Sequence, residues 1–198
     1  MPRISRLAFG ALMLAFVGSL AGCGKPPAHF TLADVTGQLP PLQFELEDAS
    51  GKQRTAADYR GKVVMLFFGY THCPDVCPTT LLHLAHVLKE LGPNAQHVAM
   101  LFVTVDPEHD TLKKLAGYTA AFDPRIVGLR GVGKPLEALE KRYHVYVHKV
   151  VKSNGNYQID HTASIYIFDQ RGEARLLAGG TDSLTDIAKD VTKLVNGA

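Results

Sequence analysis

An α/β architecture, with a central and mostly parallel β-sheet flanked by helices, is what this sequence predicts. Three observations predict it. Two continuous apolar runs, Val63-Val64-Met65-Leu66-Phe67-Phe68 and Val98 to Val105, read as strands buried on both faces. Segments with apolar residues at helical spacing alternate with the strands, as parallel crossovers require. A pair of cysteines, Cys73 and Cys77, falls between the first buried strand and the helix that follows it.

The elements follow in order. Arg3 and Arg6 precede an apolar run, Leu7 to Leu20, and then Leu20-Ala21-Gly22-Cys23. A basic start, a short apolar stretch and small residues before a cut describe an export signal. The run is too short to cross a membrane comfortably, which takes about 20 apolar residues. Its ending resembles a bacterial lipoprotein box, so residues 1–22 are expected to be a signal peptide and Cys23 the lipid-bearing N-terminus. An ordinary signal peptide or an uncleaved anchor is the alternative. Residues 23–41, with Pro26, Pro27, Pro40 and Pro41, read as a tether and lead-in, and 42–198 as the globular domain.

Phe44-Glu45-Leu46-Glu47 alternates and runs into the turn Asp48-Ala49-Ser50-Gly51-Lys52, a short strand or hairpin. After the cysteine loop, Pro78-Thr79-Thr80 opens a helix carrying Leu81, Leu82, Ala85, Leu88 and Leu91, and Gly92-Pro93 stops it. Thr111 to Phe122 and Pro135 to Tyr143 read as helices. Tyr143 to Val151 and Tyr157 to Ile159 flank Ser153-Asn154-Gly155-Asn156, a hairpin turn. Ser164 to Phe168 and Arg175 to Leu177 are strands, and Leu184 to Val195 closes the chain as a helix. A cysteine motif between the first buried strand and its helix makes the layout thioredoxin-like, with an N-terminal strand extension and an inserted β-hairpin.

Charge narrows the partners. Removing the signal takes two of the 21 basic residues and none of the 19 acidic ones. The signs are then equal, so no bulk field draws the domain to nucleic acid. If Cys23 carries lipid, only Cys73 and Cys77 of the three cysteines remain as thiols. A domain of this length folds without disulfide staples, so the pair is free for chemistry.

In Cys73-Pro74-Asp75-Val76-Cys77-Pro78 three residues separate the thiols. If both lay on the first helical turn, their side chains would share one face. The helix N-terminus would lower their pKa, and Pro78 would lack only an N–H that a helix start leaves unpaired. Such a pair is either a set of soft ligands or a reactive dithiol. A third ligand decides, and His161, in Asp160-His161-Thr162 before the strand Ile165 to Phe168, is offered where thioredoxin-like redox enzymes usually carry proline. A Cys₂His set favours Cu(I), can hold Cu(II) and accepts zinc.

These motifs identify a resemblance. Gly69-Tyr70-Thr71-His72-Cys73-Pro74-Asp75-Val76-Cys77-Pro78, Val103-Thr104-Val105-Asp106-Pro107-Glu108 and Asp160-His161 resemble, in order, the SCO/SenC family of copper-binding proteins that assist assembly of cytochrome c oxidase. The resemblance spans roughly residues 40 to 195. It implies one copper ion per chain, Cu(I) or Cu(II), bound by Cys73, Cys77 and His161. It also implies delivery to the dinuclear copper site of oxidase subunit II, on the periplasmic side of a bacterial envelope, through a lipid anchor in the inner membrane. A periplasmic copper donor and a thiol reductant would complete the cycle, and a monomer is the default. One departure is His109, where the family more often carries a basic residue.

A metallochaperone that is not an enzyme is the first reading. A thiol–disulfide oxidoreductase, cycling a Cys73–Cys77 disulfide and reducing the cysteines of subunit II, is the second. A peroxide-reducing relative would need a threonine-cysteine setting that the chain lacks. Asp106 and His72 are placed near the site, either supporting the ligands or touching a partner. Asp75 would oppose a thiolate unless it points to solvent. The remaining histidines, His29, His83, His86, His97, His144 and His148, read as surface or packing residues, and the four methionines form no copper-binding tract. Gly128-Leu129-Arg130-Gly131-Val132-Gly133-Lys134 matches a phosphate-loop spacing, but Pro135 replaces the hydroxyl residue that would hold magnesium, and the stretch is read as a loop.

Overall fold

The structure, a computed structural model, describes residues 28–153 and 155–198. Residues 1–22, expected to be a signal peptide, and Cys23, expected to carry lipid, lie outside the described residues. The chain forms β1 (Ala33–Asp34), β2 (Glu45–Asp48), β3 (Gln53–Thr55), β4 (Val63–Gly69), α1 (Val76–Glu90) and β5 (Val98–Thr104). It continues through α2 (Leu112–Phe122), β6 (Ile126–Arg130), α3 (Lys134–Arg142), β7 (Val147–Val151), β8 (Tyr157–His161), β9 (Ile165–Phe168), β10 (Ala174–Ala178) and α4 (Leu184–Val195). The expected thioredoxin-like α/β arrangement is present. Eight strands make one sheet in the order β1-β10-β9-β4-β5-β6-β2-β3, and β7-β8 stand apart as the inserted hairpin.

The parallel part of the sheet is its centre, β4-β5-β6, and every outer pairing is antiparallel. The reason is in the chain. Among the described strands β4 and β5 are the longest continuous apolar runs, and all seven residues of each are buried. The register then sets the ends. Gly69 pairs with Thr104 across β4-β5, and Phe67 pairs with Ile165 across β4-β9. The loops after β4 and β5 therefore leave the sheet side by side, next to the segment that enters β9. The carboxyl ends of parallel strands are where open α/β sheets hold ligands.

Three details differ from the sequence reading. The helix after the thiols begins at Val76 rather than Pro78, so Pro78 sits third in the first turn, where its missing N–H still costs nothing. Beyond Leu91 the chain does not stop but tightens into a 3₁₀ turn over Gly92–His97. The stretch read as a loop around Gly128 is the strand β6 in its first part. A glycine interrupts its apolar pattern because α2 packs there: a Cβ at Gly128 would lie 2.6 Å from Leu115 Cγ.

The described part of the tether segment, residues 28–41, is packed onto the domain. Leu32 and Val35 are buried, and β1 pairs with Leu176 and Leu177 of β10. Asp190 of α4, itself 0% exposed, accepts the N–H groups of Thr31 and Leu32 at 2.6 and 2.8 Å and the Lys193 ammonium at 2.7 Å. Removing this carboxylate strands two N–H donors, each charged-acceptor bond being worth roughly 1.5–3 kcal/mol. Asp190→Ala should lower the unfolding free energy in urea by about 2–4 kcal/mol. A change within the noise of the measurement would mean that the N-terminal segment is not clamped by this residue.

Candidate metal centre

The site grows from the end of β4. Gly69 is its last residue, and a Cβ there would stand 2.7 Å from Phe102 Cε2 and 2.9 Å from Cys77 Sγ. Only a glycine lets the cysteine sulfur pack against the strand end. The next six residues turn back towards the helix, with the Cys73 N–H donating to the Tyr70 carbonyl at 3.3 Å. Asp75, at φ −145° and ψ −72°, breaks the loop from α1. Cys73 is therefore on the loop and Cys77 in the first turn. The shared helical face expected from their spacing is not what joins them; the bend at Pro74 and Asp75 is.

The two thiols differ in setting. Cys77 is fully buried, whereas Cys73 is half-buried, and both are free. His161, the last residue of β8 and paired with Val147, reaches the same point from the far side. Its Nε2 lies 3.3 Å from Cys77 Sγ. Ligand atoms of Cys73, Cys77 and His161 all lie within 4.8 Å of one another. His161 Nδ1 donates to the Thr162 carbonyl at 3.0 Å, which leaves Nε2 with its lone pair towards the sulfurs. The rings of Phe67 and Tyr70 meet the imidazole edge-on, at 6.2 and 5.9 Å between centroids. The imidazole is thus oriented before any ion arrives.

Electrostatics divides the pair. A hydrogen bond from the Cys77 thiol holds Cys73 far below the ordinary thiol range, at about 3, aided by the N–H groups of Asp75 and Cys77. That same bond, with burial second, pushes Cys77 up. Cys73 is the thiolate and Cys77 the thiol. Asp75, which would oppose a thiolate, is exposed and offers its N–H instead of its carboxylate. Burial, ahead of the nearby sulfurs, raises the Tyr70 phenol to about 12, so it stays neutral.

Around this centre lies a second layer that only partly follows the sequence reading. Asp106 is buried, takes the Tyr157 hydroxyl proton in a hydrogen bond, and has His72 Nδ1 3.7 Å away. His109 Nδ1 lies 2.7 Å from the Tyr157 hydroxyl. The sequence reading missed Asp110, Tyr70 and Tyr157. Asp110, 0% exposed, accepts from Thr71 N, Thr71 Oγ1 and Thr104 Oγ1 at 2.9, 2.6 and 2.6 Å, and so ties the cysteine loop to the end of β5. The Tyr70 hydroxyl accepts the Ile159 N–H at 3.2 Å and holds β8 in place. Hydroxyl and carboxylate residues flanking the two strand ends were the available signal. Of the discounted histidines, His29, His83, His86, His97, His144 and His148 are exposed and lie outside the cluster.

Comparison with known proteins adds the following. A family model described as SCO1/SenC matches residues 34–196. The human "Protein SCO2 homolog, mitochondrial" is 36% identical over 153 residues, which is 76% of this chain and 58% of that protein. Its bovine counterpart is 40% identical over 132 residues, 65% of this chain and 50% of that protein. The chain spans about half the length of the curated relatives it matches. A solved structure of Bradyrhizobium japonicum ScoI with copper bound superimposes with a TM-score of 0.72 at 38% identity, covering 78% of this chain and 98% of that one.

The asymmetry of the thiols has a direct readout. In the metal-free, reduced protein near pH 6, iodoacetamide should alkylate Cys73 at least about tenfold faster than Cys77, since thiolate fraction and access both favour it. Peptide mapping of a time course measures this. Faster loss of Cys77 would reverse the assignment.

Proposed function

The chain belongs to the SCO1/SenC family, and on that premise we propose that it is a copper chaperone serving assembly of cytochrome c oxidase. The observation that carries this reading is the convergence of two sulfurs and an oriented imidazole nitrogen within 4.8 Å. Thiolate and imidazole donors suit Cu(I), and an imidazole among them also supports Cu(II). Cys77 anchors from within, while Cys73 and His161 are half-buried at the mouth. A ligand set open on one side lets a recipient's own sulfur or nitrogen enter before the donor's ligands leave.

The finer reading places the recipient as the dinuclear copper site of oxidase subunit II. It places this protein on the periplasmic side of the envelope, held to the inner membrane by lipid on Cys23. Among the described residues no helix is long and apolar enough to cross a membrane, and a lipid anchor requires none. A copper donor and a thiol reductant in the same compartment would reload the site.

A second reading has its own observation, the exposed thiolate beside a buried thiol. Cys73 sulfur attacks one sulfur of a partner disulfide and forms a mixed disulfide, releasing the other partner sulfur as a thiolate. Cys77 then loses its proton and attacks Cys73. The products are a Cys73–Cys77 disulfide and a partner dithiol, two electrons having passed to the partner. Forming that disulfide withdraws two of the three copper donors, so reduction and copper carriage exclude each other in any one turnover.

Copper loading tests the first reading. The purified protein should bind close to one Cu(I) per chain, and His161→Ala, Cys73→Ser and Cys77→Ser should each weaken binding by about tenfold or more. Full affinity in His161→Ala would remove the third ligand from the proposal. Because Cys73 is already ionised at neutral pH while Cys77 is not, binding should release one proton per ion. Affinity should then fall about tenfold per unit as the pH drops from about 8 to about 6. A hundredfold fall per unit would mean that both thiols start protonated. For the second reading, metal-free reduced protein should reduce an oxidised dicysteine fragment of subunit II, and no reduction over hours would dismiss it.

A further inference from the structure

The inserted hairpin presents a strand edge that none of the described residues covers. We propose that the outer edge of β7 is the docking edge for the protein that exchanges copper or electrons with the Cys₂His centre. An extended, acidic segment of that protein adds to β7 as a third strand. The inference rests on the reading that a partner comes to this centre, and it names how the partner is held.

The register shows which backbone groups are free. The Thr162 N–H donates to the Tyr146 carbonyl at 3.0 Å, and the Lys152 N–H donates to the Asn156 carbonyl at 2.7 Å. In an antiparallel pair, bonded residues alternate with residues whose N–H and carbonyl groups turn outwards. His148 and Val150 therefore bond to β8, while Val147, Lys149 and Val151 face away from it. The opposite strand has the same phase: Ile159, paired with Lys149, sends its N–H out to the Tyr70 hydroxyl at 3.2 Å. β8 thus spends its outer edge on the domain. Among the described residues, none takes up the outward N–H groups of Val147, Lys149 and Val151. Every residue of β7 after Val147 is exposed.

Proteins commonly blunt such edges with a proline, a bulge or a charge. β7 has no proline, and its pairing with β8 has no bulge. Lys149 is drawn across β8 rather than over the edge, its ammonium 3.9 Å from the Tyr157 ring centroid and 3.7 Å from a Glu108 oxygen. Tyr146, Val150 and Val151 are exposed and add apolar surface along the strand. The edge also leads to the ligands, because Val147 at its start is the cross-strand partner of His161. A strand added about 4.8 Å beyond β7 brings its end alongside the mouth where Cys73 and His161 are half-buried.

Charge selects the occupant. Lys141, Arg142, His144, His148, Lys149 and Lys152 fall within residues 141–152, and no aspartate or glutamate does. The exposed carboxylate of the hairpin, Asp160, is on β8, the strand that faces the domain. A second copy of this chain, paired through the same edge about its centre, would set Lys149 against Lys149, and like charges directly opposite are destabilising. A segment with carboxylates opposite these cations gains from them instead. Main-chain bonds then supply affinity, and the alternating side chains supply selectivity.

Amide hydrogen exchange reads the edge directly. The probe is the reduced dicysteine fragment of oxidase subunit II, added at low salt to the purified, metal-free, reduced protein. Exchange at Val147, Lys149 and Val151 should slow by about tenfold or more, and at His148 and Val150, already bonded to β8, much less. Lys149→Pro removes one outward N–H without touching the ladder to β8. Its affinity for the fragment should fall about tenfold or more below that of Lys149→Ala, which controls for the lost ammonium. Protection of the Gln158 and Asp160 amides checks that the hairpin stays folded. Both variants should still bind close to one Cu(I) per chain, which keeps this result apart from a failure of the chaperone reading. A complex whose outward amides exchange as fast as in the free protein, equal affinity of the two variants, or no complex at all would overturn the proposal. So would protection that appears without the fragment as the sedimenting mass doubles, since the occupant would then be a second copy.

Discussion

The site depends on the pairing of β4 with its two neighbours. β5 runs parallel to it with Gly69 opposite Thr104, and β9 runs antiparallel with Phe67 opposite Ile165. A shift of one residue in either ladder would turn every side chain to the other face. The close packing at Gly69, where a Cβ would stand 2.7 Å from Phe102 and 2.9 Å from Cys77 Sγ, opposes that shift, since it admits no other residue at that position. Because the register is fixed, the cysteine loop, the Asp106–Asp110 loop and the chain entering β9 emerge at one edge of the sheet. Donors from positions 73, 77 and 161 then meet without any one segment having to fold around an ion.

What the loops add is orientation. Asp110 fastens the cysteine loop to the end of β5 through three hydrogen bonds. Tyr70 reaches across to the backbone of β8, and Tyr157 on the same strand reaches back to Asp106. The inserted hairpin is thereby held at the start and the middle of β8, and His161 at its terminus inherits that rigidity. Hydrogen bonding at Nδ1 selects the tautomer with Nε2 free, the usual way in which an outer contact sets the basicity of a metal-binding histidine.

Burial separates the roles of the two sulfurs. Cys77 lies fully buried against the bare backbone of Gly69, where a charge is costly. Cys73, half-buried and within reach of N–H groups from Asp75 and Cys77, is where the negative charge settles. The same asymmetry suits a soft-metal site that must release its ion and a dithiol that must attack first with one sulfur. Geometry alone does not choose between these, which is why both follow from one arrangement of residues.

Much of this was legible in the residues. The two long apolar runs, the closing helix Leu184–Val195 and the hairpin around Gly155 were visible as local patterns, because each carries its own periodicity or turn chemistry. Cys73, Cys77 and His161 were legible as chemistry, since few other side chains favour a soft ion. β6 was not, because the glycine that admits Leu115 also erases its apolar pattern. The loop position of Cys73 was not, because the helix start is set by a backbone break at Asp75. Nor was the lattice of Asp110, Tyr70 and Tyr157, whose partners stand 39, 89 and 51 residues away along the chain. The sequence by itself determined the fold class and which side chains can bind a soft metal, for those follow from composition and short-range spacing. Only the tertiary structure decided which sulfur is ionised, which imidazole nitrogen is free, and that the Tyr157 hydroxyl stands between Asp106 and His109, because burial and hydrogen bonding between distant segments have no local signature.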